Sequence, residues 1–170
     1  MRTFFALELD DPDKYALAQW RDNHMGNIGR PIRPDNFHVT LCFLGDIDSK
    51  QHDTLTQLLD QCFPMSFSLV LDRLEYLPRN SIVWLGATET PGDLSDLVKA
   101  LRQVAQRAGI KVDRKTYRPH ITLFRNCTKH PDLSLTPPTL QHSWSSFSLF
   151  KSTFSTEGVR YDRLHEWRLQ

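Results

Sequence analysis

The chain has 170 residues, 39% hydrophobic and 24% charged, a composition that excludes a disordered polymer and fits one domain or two small lobes sharing a core. Lys plus Arg is 21 against 20 Asp plus Glu, a formal net charge of +1, which excludes the global basic field of a protein that coats long nucleic acid but leaves room for a local anion pocket. No apolar stretch approaches the ~20 residues of a membrane span, and Glu8 inside the first apolar run argues against a signal peptide.

In chain order, Thr3 to Leu9 is predicted as a strand. Asp10-Asp11-Pro12-Asp13 then opens a helix carrying Tyr15, Leu17, Ala18 and Trp20 to about Asn23. His24 to Asn36, with two glycines and two prolines, is expected to be a loop. Phe37 to Leu44 is a second strand. Ser49 is the expected N-cap of a helix with Leu55, Leu58, Leu59 and Cys62 at helical spacing. Phe67 to Leu77 and Ile82 to Ala87 flank Pro78-Arg79-Asn80-Ser81 as a hairpin. Leu94, Leu97, Val98, Leu101, Val104, Ala105 and Ala108 form the clearest helical stripe, with Gly109 as its C-cap. Pro119 to Arg125 is a strand, Asn126 to Ser143 a loop, and Phe147 to Phe154 and Tyr161 to Leu169 a terminal strand pair. Strands mixed with helices and hairpins predict an α+β fold.

Cys42, Cys62 and Cys127 are an odd set without Cys-x-x-Cys spacing. They predict no disulfide framework and no zinc ribbon, hence a reducing, cytoplasmic setting. No metal-ligand cluster, P-loop, Gly-x-Ser-x-Gly or dinucleotide fingerprint is present, so no metal or other cofactor is expected.

One internal echo carries the chemistry. His38-Val39-Thr40-Leu41 and His120-Ile121-Thr122-Leu123 share the pattern His-aliphatic-Thr-aliphatic. On a strand, residues i and i+2 share a face, so each tetrapeptide projects one imidazole and one hydroxyl together and turns its aliphatic residues into an apolar layer. A near-repeat in a chain this short predicts a pseudo-twofold arrangement with both pairs in one polar cleft. A neutral imidazole takes a proton from water while an imidazolium protonates a departing alkoxide. Displacement at a phosphodiester, especially a strained cyclic one, fits that division of labour. The residues alone leave open which histidine is acid and which is base.

The paired motifs resemble the signature of the two-histidine (2H) phosphoesterase superfamily, and within it the bacterial RNA 2',3'-cyclic phosphodiesterases, also called the 2'-5' RNA ligase or LigT-like family. The resemblance extends over Phe4-Phe5-Ala6-Leu7, Arg30-Pro31, Asn36 to Gly45, Val83-Trp84-Leu85-Gly86, Arg118 to Arg125, and a terminal strand pair containing Tyr161 and Trp167. It implies a single domain over residues 1–170 of two similar lobes, antiparallel sheets lining a central cleft and helices packed outside. It also implies metal-independent opening of 2',3'-cyclic phosphates to 2'-phosphomonoesters, with His38 as proton donor and His120 as proton acceptor.

Around that pair, Thr40 and Thr122 are expected to hold phosphoryl oxygens. Arg118 shares the His120 face by strand parity, whereas Arg125 has the opposite parity unless a bulge intervenes; both are candidate phosphate or ribose contacts. The resemblance favours Arg125, a position where the family tends to keep arginine. Phe4 and Trp84 are candidate base-stacking platforms. The expected partner is an RNA end or nucleotide bearing a 2',3'-cyclic phosphate, with no membrane partner and a monomeric enzyme. The alternatives are the same pair acting on 2'-5' linkages, on an ADP-ribose cyclic phosphate or in reversible 2'-5' ligation, and a non-catalytic RNA-end binding module.

Overall fold

A computed structural model describes all 170 residues. The strands are β1 (Arg2–Glu8), β2 (Arg30–Pro31), β3 (His38–Asp46), β4 (Phe67–Leu71), β5 (Arg73–Leu77), β6 (Ile82–Gly86), β7 (His120–Arg125), β8 (Leu140–Trp144), β9 (Ser146–Ser155) and β10 (Gly158–Arg168). The helices are α1 (Asp11–His24), α2 (Ser49–Leu59) and α3 (Gly92–Arg107), with a 3₁₀ turn at Pro34–Asn36. One sheet has the order β10-β9-β1-β3, a second the order β2-β7-β6-β5, and β4 pairs with β8. Every pairing is antiparallel. The α+β class expected from the sequence is the class observed. No helix is long and apolar enough to cross a membrane.

Local chemistry sets the helix ends. The Asp10 carboxylate accepts the Asp13 N–H at 3.0 Å and caps α1. The cap of α2 is Asp48, one residue before the expected Ser49. Asp48 and Gln51 exchange side-chain-to-backbone bonds at 2.8 and 3.1 Å, a reciprocal capping box. The stripe of α3 is buried from Leu94 to Ala105 as predicted, and Gly109 ends it at φ +75°, where a side chain is disfavoured.

Three further expectations need correction. The run Phe67 to Leu77 is not one strand: Asp72 interrupts it by accepting from the Thr88 N–H (2.9 Å) and hydroxyl (3.0 Å). Residues before it pair with β8 and those after it with β6. The expected loop Asn126 to Ser143 contains most of β8. The expected loop His24 to Asn36 contributes β2, whose Arg30 and Pro31 pair with Arg125 and Phe124.

One apolar core runs through both large sheets and takes residues from all three helices. It receives Phe5, Leu7 and Leu9 from one face of β1. On the other face Phe4 and Ala6 join Phe150 in a small cluster against Tyr161. The first sheet therefore has one face on the core and a second, aromatic face free to build a site. Strands β3 and β7 touch where the two large sheets meet. The Tyr117 hydroxyl ties the approach to β7 to β3 by donating to the Thr40 carbonyl at 2.8 Å.

Arg21 of α1 braces the same junction from below. It is 3% exposed, donates to the Ile32 and Leu123 carbonyls at 2.5 and 3.2 Å, and lies against the Phe37 and Phe124 rings. The sequence offered no sign that this arginine was structural.

Candidate active site

The two tetrapeptides lie on corresponding strands and bury their residues in the same pattern. His38, Thr40, His120 and Thr122 are half-buried, whereas Val39, Leu41, Ile121 and Leu123 are fully buried. Both strands then insert an extra residue. Opposite β1, Thr40 pairs with Ala6 and Cys42 with Phe5, leaving Leu41 unpaired. Opposite β6, Thr122 pairs with Trp84 and Phe124 with Val83, leaving Leu123 unpaired. Each bulge flips the strand's parity beyond it. Phe43 and Arg125 therefore emerge exposed at equivalent places, five residues after their histidines. The sequence hint of the bulges is the adjacent apolar pairs Leu41-Cys42 and Leu123-Phe124, where strict alternation requires one polar residue.

The imidazoles are held alike. Nδ1 of His38 donates to the Asn36 carbonyl at 2.7 Å, and Nδ1 of His120 donates to the Arg118 carbonyl at 2.7 Å. A carbonyl only accepts, so Nδ1 carries the proton and Nε2 is left for chemistry. The Thr40 hydroxyl donates to Nε2 of His38 at 2.9 Å. An aromatic ring supports each imidazole. Phe4 and Tyr161 each lie 5.0 Å from the His38 ring, and Trp84 stacks on His120 at 3.8 Å. Gly86 is the residue paired with His120; a Cβ there would stand 3.3 Å from Trp84 Nε1, crowding the indole that supports the imidazole.

The electrostatics couple the two histidine strands. Burial pushes the pKa of His38 down to about 4, and the charges of His120, Arg125 and Lys14 push the same way against the Asn36 carbonyl bond. Burial also lowers His120, with Arg118 and Arg125 adding to it, while the Arg118 carbonyl bond and Glu75 oppose. Arg125 thus acts on both imidazoles, and both are neutral at pH 7 in the free protein. Cys42 is no competing nucleophile, because burial raises its thiol to about 11.

Of the other expected site residues, Arg125 has no carboxylate partner and borders a groove of about 260 Å³ together with His38 and Thr40. Arg118 does not stand free: Glu75 pairs with it, and its guanidinium lies over Trp84 at 5.3 Å. Phe4 is 5% exposed and edged by Tyr161, so it is a support for His38 without an open face for a base. Trp84 is half-buried and engaged with His120 and Arg118. In the sequence Tyr161 stands out only as part of the terminal strand pair. Its contact with His38 crosses two strands of the sheet, a distance no local pattern reveals.

An antiparallel α+β frame holding two His-x-Thr strands defines the class: the chain belongs to the 2'-5' RNA ligase superfamily, whose family model matches residues 9–148. This agrees with the resemblance carried by the tetrapeptides. The chain is 33% identical to the RNA 2',3'-cyclic phosphodiesterase of Escherichia coli (strain K12), across 99% of this chain and 96% of that one. A protein of the same description from Methanocaldococcus jannaschii is 23% identical, over 98% of this chain and 100% of its own. Among solved structures, E. coli LigT in apo form matches with a TM-score of 0.89 at 32% identity, covering 99% of this chain and 96% of that chain. The same protein complexed with 3'-AMP matches with a TM-score of 0.89 at 32% identity, covering 99% and 97%.

Proposed function

We propose that this chain is an RNA 2',3'-cyclic phosphodiesterase that opens a terminal ribose 2',3'-cyclic phosphate to a 2'-phosphomonoester, as one domain whose halves each supply an imidazole. The observation that carries this reading is the matched pair: each Nδ1 is fixed by a carbonyl two residues upstream, and one arginine acts on both rings.

Neutral His120 takes a proton from water through Nε2 as the water oxygen attacks phosphorus. The bond from phosphorus to the 3'-oxygen breaks, and protonated His38 delivers its Nε2 proton to that oxygen. The product keeps the phosphate on the 2'-oxygen, and the two histidines exchange one proton with solvent to reset. The Thr40 and Thr122 hydroxyls and the Arg125 guanidinium hold the non-bridging oxygens, which gain charge in the transition state. The order of acid and base follows the family resemblance. Free thiols at Cys42, Cys62 and Cys127 support a reducing, cytoplasmic setting.

The test is product analysis on nucleoside 2',3'-cyclic phosphates with the wild type and with His38→Ala and His120→Ala. The expected outcome is a 2'-phosphate product alone and a loss of about 10² to 10⁴-fold in kcat for each variant. Near wild-type turnover in either variant would remove the mechanism. Tight binding of cyclic-phosphate ends without any product would replace it with an RNA-end binding module.

A further inference from the structure

The groove that begins at His38 and Thr40 holds more positive charge than the proposed reaction needs. Besides Arg125 it is bordered by Arg2 and Arg30, and no Asp or Glu lines it. Six arginines find carboxylates: Arg21 meets Asp22, Arg33 meets Asp35, Arg73 and Arg118 meet Glu75, Arg160 meets Asp162, and Arg163 meets Glu8 and Glu166. Arg2, Arg30 and Arg125 make no such pair. Their convergence is independently visible at Tyr161, where all three guanidinia oppose the burial that raises its phenol.

The arrangement works against stability. Arg30 and Arg125 are directly opposed across β2 and β7, and like charges in that position destabilise a sheet. A cyclic phosphate diester carries a single negative charge, which Arg125 already meets. Two guanidinia are left over, and an added anion beside them would relieve their repulsion.

The far wall of the groove has a different character. Phe43 and Phe154 are 48% and 66% exposed, high for large apolar rings. The Arg2 guanidinium lies over both, 5.2 and 5.7 Å from their centroids. A cation fixed on open aromatic faces suits a strand of alternating phosphates and bases.

We propose that Arg2, Arg30, Phe43 and Phe154 form a second subsite, which takes the internucleotide phosphate and the penultimate base of a single-stranded RNA end. The inference rests on the cyclic phosphodiesterase reading for the first subsite and extends it. The enzyme then recognises an oligonucleotide terminus in preference to a mononucleotide. The phosphate seats between Arg2 and Arg30, and the base stacks on the Phe43–Phe154 ledge.

The test is equilibrium binding of three unreactive ligands to the full chain across a salt series. They are a nucleoside 2'-phosphate, the same nucleotide with an added 5'-phosphate, and a dinucleotide ending in the 2'-phosphate. The dinucleotide is expected to bind about 10-fold tighter than the nucleoside 2'-phosphate, with a log–log salt slope steeper by about 0.7. Arg2→Gln should remove the extra slope, and Phe154→Ala the part of the gain due to the second base. Both side chains are exposed, and a thermal melt of each variant verifies that it is folded.

Equal affinity for all three ligands, or a dinucleotide gain that survives both substitutions, overturns the subsite. A gain captured in full by the 5'-phosphorylated mononucleotide, and untouched by Phe154→Ala, overturns the RNA reading in favour of a mononucleotide phosphate pocket. Because binding is read without turnover, failure to hydrolyse the cyclic substrate counts against the reaction and leaves this measurement decisive for the subsite.

Discussion

The proton that His38 must donate is nearly absent from the free protein. With its pKa at about 4, about one molecule in a thousand carries that proton at pH 7. The substrate itself corrects this. A phosphate monoanion about 4 Å from the ring contributes about 4 kcal/mol at an effective dielectric of 20, or about three pKa units. That brings the imidazole to about 7, where donation to an alkoxide is efficient. The assay is an NMR titration of the His38 ring between pH 3.5 and 8, free and saturated with a nucleoside 2'-phosphate. The midpoint should move from about 4 to about 7. A free midpoint at the ordinary ~6.5, or a ligand-induced change under about one unit, would refute the reasoning. Stability carries the same sign. The folded pKa lies below the unfolded ~6.5, so the unfolded chain binds the extra proton and stability falls as pH drops from about 6.5 toward 4. The loss from this one group is at most about 3 kcal/mol, and bound phosphate should restore part of it.

Thr40→Val removes the hydroxyl that donates to His38 Nε2 and a phosphoryl contact; kcat should fall about 10²-fold, with the melting temperature little changed. Arg21→Met deprives two carbonyls of a charged donor and should cost about 3 kcal/mol in urea unfolding, a fall of about 6–12 °C in Tm. A loss under about 1 kcal/mol would remove the bracing role assigned to Arg21. Exhaustive treatment with EDTA should leave turnover within about twofold, because the imidazoles supply both acid and base and no Lewis acid is called for.

The fold was legible wherever one period ruled a whole segment. The stripe from Leu94 to Ala105 produced its helix directly, and the short apolar runs at Phe4 to Leu7 and Phe147 to Phe150 produced β1 and β9. The failures share a cause: tertiary partners overrode a local pattern. Phe67 to Leu77 is apolar enough for one strand, but the carboxylate of Asp72 binds Thr88 and hands the chain from one sheet to another. Leu140 to Trp144 becomes a strand only because β4 presents a complementary edge. At the site, the two histidines and threonines were readable because a spacing of two residues is enough to put side chains on one face. Arg125 was readable only conditionally, since its parity depends on the extra residue at Leu123. Tyr161 and Arg2 come from strands remote in sequence, and no spacing within the motifs points to them.

The paired bulges have a consequence for polarity. Two matched tetrapeptides, taken alone, give a bound chain no reason to prefer one heading over the other, yet a nucleic acid runs 5' to 3'. The bulges place one residue from each of β3 and β7 at matching posts five residues past the histidines, and the two strands differ there: Phe43 on one, Arg125 on the other. One post favours a flat ring and the other an anion. Two strands that match at histidine and threonine thus part in chemistry at these exposed positions, and of the two only Arg125 also bears on the imidazoles.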